Sequence, residues 1–236
     1  MKNLFLISVF FLSINSCNSQ NNENKNLAVD SANIETIKNN GSDIEPQETA
    51  KYTHVKFIPV PEGYERINVE ANSEGEYLRN LELKTENNIV YLYNGYEKGN
   101  QSAHFAILKI DVGTQDLQQC ADAVMRLRAE YLFNKKRYSE IHFNFLSDGK
   151  PRYYTDYSQG NRSYSKYRKY MNYIFSYANT ASLKKELHKV DNVNEMKIGD
   201  VFIQKGNPYG HAVTIMDIAV NDNGEKIFML SQSYMP

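Results

Sequence analysis

The sequence has no tryptophan and only two cysteines, Cys17 and Cys120. Two cysteines this far apart make no metal-type cysteine cluster. His54, His104, His142 and His188 show no mutual metal-ligand spacing either. No metal site and no cofactor are expected. Long basic runs are also missing, and the net charge is -1. That balance argues against a nucleic-acid partner or a polybasic membrane surface. Apolar runs are short as well. The longest, residues 4–12, is too short for a comfortable membrane-spanning helix. Aromatic character falls to 18 Tyr and 11 Phe, so any aromatic platform must be built mainly from tyrosine.

What is present at the N-terminus reads as a targeting segment. Lys2 supplies the positive start and residues 4–12 the apolar stretch. Ile14-Asn15-Ser16-Cys17 then resembles a bacterial lipobox, with the small Ser16 before the cysteine. Residues 1–17 are therefore expected to be a lipoprotein signal, with lipid on Cys17 anchoring the mature chain to a membrane of the cell envelope. The other reading is an ordinary secretory signal cleaved near Ser19. Residues 18–51 are rich in Asn, Ser, Glu and Lys and are expected to be a disordered tether. The remaining stretch, 52–236, is roughly 185 residues, enough for one domain with a sizeable core.

Within it, apolar periodicity predicts a mixed order of elements. Residues 55–60 read as extended, 73–81 as a short helix, and 90–93 and 103–112 as strands. Residues 141–146 alternate as a half-buried strand. The segment 164–178 is helical with two stripes, and 183–187 is a short helix capped from Thr180 or Ser182. A turn at 196–200 enters a strand, and 211–219 is a strong strand. Asn221-Asp222-Asn223-Gly224 turns the chain into an antiparallel partner, 226–232. The fold class is α+β: an antiparallel sheet with helix 116–134 packed on one face. Ser233-Tyr234-Met235-Pro236 follows a strand with no polar tail, so a C-terminal continuation that completes the site or the sheet is expected.

The chemical signal lies at the start of that helix. Asp116 and Gln119 fit the capping-box spacing, and Val124, Leu127, Tyr131 and Leu132 recur at helical intervals. Cys120 thus falls in the first turn, where free N–H groups and the helix dipole favour thiolate over thiol. An inert buried cysteine could occupy the same place. If Cys17 carries lipid, Cys120 has no intrachain disulfide partner. His211 opens one strand of the C-terminal hairpin and Gln232 ends the other, so the two side chains can meet. A thiol needs a base, and the base needs an orienting partner. The second donor to a developing oxyanion, beside the Cys120 N–H, is expected from Gln118 first, with Gln115 and Gln119 as alternatives.

Cys120 opening a helix, Gly210-His211 opening a strand and Gln232 on the next strand resemble the papain-like superfamily of bacterial cell-wall amidases and endopeptidases. That resemblance implies a papain-like fold, with Cys120 as nucleophile, His211 as its base and Gln232 as the residue that orients the ring. The context Gln119-Cys120-Ala121 departs from the usual Asp-Cys-Ser/Gly. Tyr77-Leu78-Arg79-Asn80-Leu81 and the stretches 116–130, 199–213 and 231–236 resemble a family of bacterial lipoproteins described as a domain of unknown function (4846). No activity follows from that resemblance.

Two function classes follow. One is a lipid-anchored thiol hydrolase acting on amide bonds in peptidoglycan or peptides. The other is a non-catalytic envelope lipoprotein that binds glycan or protein through tyrosines, with Tyr164, Tyr167 and Tyr170 as its platform. The same tyrosines also fit a helix buried on two sides.

Overall fold

The computed structural model describes residues 4–7, 52–206 and 209–233. The lipobox around Cys17, the proposed tether 18–51 and residues 234–236 lie outside them. The architecture is α+β with antiparallel sheets and, among the described residues, five α-helices.

The sheet that carries the site is built around one long strand. Strand β7 (His211–Asn221) pairs antiparallel with β6 (Val201–Gln204) along its first residues. It pairs with β2 (Tyr64–Arg66) along its last and with β8 (Lys226–Ser231) on its other edge. Residues 211–221 read almost continuously apolar because both faces of β7 are covered. Ala212 and Met216 join core clusters shared with helix α2 (Cys120–Asn134), whereas Ile215, Ile218 and Phe228 form a cluster of their own. A register shift between Ile215 and Asp217 bends the β7–β8 pair. It also leaves Asp217 buried, where its carboxylate accepts from Arg66 of β2 at 2.6 Å and from Arg79 of α1 (Glu74–Arg79) at 2.8 Å. One buried acid thereby ties three elements together.

Smaller sheets flank this one. Strands β1 (Leu4–Ile7) and β3 (Ala106–Asp111) pair antiparallel, as do β4 (His142–Asn144) and β5 (Pro151–Tyr153). Helices α3 (Tyr154–Ser158), α4 (Tyr164–Phe175) and α5 (Thr180–Glu186) complete the fold. Tyr154, Tyr167 and Tyr170 gather around Phe133 of α2 and are fully buried. At Tyr154 and Tyr170 the ring fills the core while the hydroxyl reaches a backbone acceptor at the edge. Tyr154 donates to Asn161 O and Tyr170 to Arg152 O.

Four expected elements differ. Residues 55–60 are not extended: Val55–Phe57 forms a 3-10 turn, closed by Ile58 N–H donating to Val55 O, with Val55 sealed in the core. Residues 90–93 form no strand: the chain turns back at Leu92–Gly95, and Tyr91 pairs with Glu97 in a single isolated bridge. The helix expected from 116 begins at Cys120 instead. Gln118 adopts φ +67°, which a right-handed helix cannot include. Gln119 is then the N-cap, and the Asp122 carboxylate accepts its N–H at 3.1 Å. The capping box is therefore Gln119 and Asp122, not Asp116 and Gln119. Helix α5 begins at Thr180 with Asn179 as its N-cap: the Asn179 side chain accepts from Ala181 and Ser182, and the Ser182 hydroxyl accepts the Asn179 N–H.

Helix α2 carries a charged pair in its interior. The Arg126 Nε bonds Glu130 at 2.5 Å, its Nη1 bonds the Gln118 amide oxygen at 3.1 Å, and its Nη2 bonds the Tyr164 hydroxyl at 2.9 Å. Arg126 is 1 % exposed, so removing it strands a buried carboxylate. Arg126→Ala is expected to cost about 3–5 kcal/mol in urea denaturation. A loss below about 1 kcal/mol would mean the network does not support the helix.

Candidate active site

Cys120 is the first residue of α2, so its N–H has no acceptor within the helix. Its half-buried side chain points across to β7 and α5. The sulfur lies 3.7 Å from the Thr180 hydroxyl and 3.8 Å from the Gly210 carbonyl oxygen. The His211 ring and the Ala212 N–H stand close enough to act on its ionisation. Cys120 and His211, expected to meet, are thus neighbours.

His211 owes its position to the sheet. It pairs with Gln204 at the start of β7. Extending the register Thr214↔Ser231 by one step sets Gln232 opposite Val213, on the same face as His211 and diagonal to it. The His211 Nε2 and Gln232 Oε1 are 2.6 Å apart. Since the amide oxygen only accepts, Nε2 carries a proton and Nδ1 remains to face the thiol.

Each group changes the ionisation of the others. Burial pushes the Cys120 thiol up. Hydrogen bonds to His211, Thr180 and the Ala212 N–H, with the charge of His211, outweigh it and bring the thiol from 9.0 down to about 7. The His211 imidazole moves upward, raised by its bond to Cys120 and by Gln232 against the effect of burial. The depressed thiol contributes stability that is complete above 9.0 and lost as pH falls through about 7. The raised histidine contributes below 6.5 and loses its contribution as pH rises through its folded value. The coupled pair therefore favours thiolate and imidazolium near neutrality.

The expected glutamine donor is misplaced. Gln118 is fully buried; its amide nitrogen donates to Val112 O at 2.8 Å and its oxygen accepts from Arg126. It braces the turn before Cys120, and its burial keeps it from reaching a bound molecule. Gln115 is exposed, and its amide oxygen accepts from Asn172. Gln119 is exposed and adjoins Cys120.

The tyrosine platform is not available either. Tyr167 and Tyr170 are 0 % exposed, inside the aromatic core. Tyr164 is exposed, but its hydroxyl is held by Glu130 and Arg126. Helical spacing placed these rings correctly on α4; it could not say that Tyr167 and Tyr170 would be covered. Among the described residues, no three His, Cys, Asp or Glu side chains gather as metal ligands.

Two contributors escaped the sequence. Thr180 stands 60 positions from Cys120 and is brought there only by packing of α5. Asp122 was legible in principle, as the third helical residue once the N-cap is moved to Gln119. Burial, then the charge of Cys120, pushes its carboxyl up to about 7 against the N–H bonds of Gln119 and Gln118. A raised acid favours folding most below 3.8 and loses that contribution as pH rises through about 7. Asp122→Asn keeps an oxygen for the Gln119 N–H and removes the charge. The variant should lower the pH midpoint of Cys120 alkylation by about half a unit and flatten the stability loss from pH 4 to 7. Iodoacetamide rates and urea midpoints across pH check both. An unchanged or higher alkylation midpoint would show that this carboxylate does not reach the thiol.

No curated protein and no solved structure matches the chain significantly. A family model does, over residues 55–236. That span takes in the Asp217 clamp, the braced turn at Gln118 and every residue around the Cys120 sulfur, and the chain belongs to the family described as Domain of unknown function (4846).

Proposed function

We propose that this protein is a thiol hydrolase with a papain-like arrangement, anchored to the cell envelope through lipid on Cys17 and acting on an amide bond of peptidoglycan or a peptide. The observation that carries the reading is the line Cys120, His211, Gln232, with the 2.6 Å bond holding the ring. A buried structural thiol has no use for an imidazole fixed in the orientation that takes its proton.

In this mechanism His211 Nδ1 holds the proton released by Cys120, and the thiolate attacks the amide carbonyl carbon. The carbonyl oxygen gains the electron pair and is met by the Cys120 N–H at the helix start. The Gln119 side-chain amide is the second donor in place of Gln118. As the tetrahedral intermediate collapses, the C–N bond breaks and the imidazolium proton passes to the leaving amine. Water, losing a proton to His211, then attacks the thioester. The carboxylic product leaves, and the thiol recovers its proton. Gln232 touches neither substrate nor sulfur; it keeps Nε2 protonated and the ring aligned.

Incubating the purified protein with peptidoglycan fragments and with short peptides, and reading the products by mass spectrometry, tests the reading. Wild type should release amine and carboxyl fragments. Cys120→Ala should release none, and His211→Ala should act at least about a hundredfold more slowly. Gln232→Ala should lose less than His211→Ala. Fragments released equally by Cys120→Ala, or by no form of the protein, would remove the proposal.

The anchor is tested separately. Wild type should partition into detergent, and Cys17→Ala should not. Unchanged partitioning of the variant would remove the lipid from the account while leaving the thiol chemistry untouched.

A further inference from the structure

We infer that Thr180 is a positioning residue of this site: its hydroxyl donates to the Cys120 thiolate, and Gly210 is glycine so that α5 can seat it there. The inference rests on the Cys–His reading and extends it to a side chain outside that pair. The sulfur meets two oxygens of opposite character. Gly210 O, at 3.8 Å, can only accept, so it pairs with the protonated thiol. Thr180 Oγ1, at 3.7 Å, can donate, and a thiolate leaves it no other role toward the sulfur. The Ala212 N–H on the β7 side is likewise a donor to the charged form. Loss of the proton therefore exchanges the Gly210 carbonyl for the Thr180 hydroxyl as the sulfur's oxygen partner.

The seat for Thr180 is made by close packing. A Cβ on Gly210 would lie 2.9 Å from Thr180 Cγ2 and 2.7 Å from Gln204 O. Any larger residue at 210 would push α5 away from the sulfur or break the first pairing of β6 with β7. Asn179 fixes the other side by capping α5 and setting Thr180 as its first residue. The hydroxyl is thus held by its own helix rather than by a flexible loop. It shifts ionisation in the same direction as His211, and it needs no protonation state of its own to do so.

The test is the thiolate titration of the full protein, followed by absorbance at 240 nm and by iodoacetamide rate across pH. Thr180→Val keeps the shape and removes the donor; Thr180→Ser keeps the donor. Thr180→Val should raise the midpoint by about half to one pH unit, roughly a two- to fivefold loss of thiolate at neutral pH. Thr180→Ser should stay within about 0.2 unit of wild type. Thr180→Ala, also without the hydroxyl, should match the valine variant and replaces it if valine disturbs α5. A structural role would alter unfolding without separating Ser from Val in the titration. A wild-type midpoint in both Val and Ala variants overturns the inference. His211→Ala, run alongside, separates the two ideas. If it moves the midpoint and Thr180→Val does not, only Thr180 is lost; if neither moves it, the Cys–His reading fails as well.

Discussion

The arrangement depends on one backbone constraint, the left-handed turn at Gln118. A non-glycine residue at φ +67° is held there only if its surroundings hold it. Val112 O takes its amide nitrogen, and Arg126, a full turn and more along α2, takes its oxygen. The helix thus fastens the residue that precedes its own start. That decides where α2 begins, and so places Cys120 at the first position with a free N–H. The charged pair of Arg126 and Glu130 costs desolvation in the core. Its return is positional, because the same guanidinium holds Gln118, Glu130 and Tyr164.

Three distant parts of the chain then close on one sulfur. Helix α2 brings the thiol, β7 brings His211 and the Ala212 N–H, and α5 brings Thr180. Gln232, the residue after β8, stands behind the ring. None of these contacts is strong alone, and burial works against the thiolate. The balance falls to the charged form because several donors meet it at once, each from an element fixed by its own cap or register. Asp122 is the opposing member. It secures the helix start by accepting the Gln119 N–H, and its charge disfavours the thiolate beside it. Stability of the helix start and acidity of the thiol are therefore set against each other in one carboxylate.

Much of this was legible in the residues. The run 211–219, its turn at 221–224 and its return strand were plain from the apolar pattern; the register shift between Ile215 and Asp217 was not. The apolar spacing of Tyr77, Leu78 and Leu81 marked α1, whose start the Ser73 side chain caps. What failed did so for physical reasons. Asp116 with Gln119 fitted the capping-box spacing, and nothing local showed that Gln118 would turn left-handed. The amide of Gln118 was read as a donor for substrate because its partners, Val112 and Arg126, are chosen by tertiary packing. The tyrosines of α4 have the right period for a surface stripe or a core stripe, and only the covering by α2 and α3 decides between them. Thr180 had no signal at all, since its role exists only after α5 packs against Gly210.

The claim on which everything else rests is that Cys120 is an ionised thiol in the folded protein near neutral pH. Titrating folded wild type at 240 nm, with Cys120→Ala as the blank, measures it directly. A thiolate midpoint at about 7 is the predicted result. A midpoint at or above about 8.5, the value of an unassisted cysteine, would contradict the account.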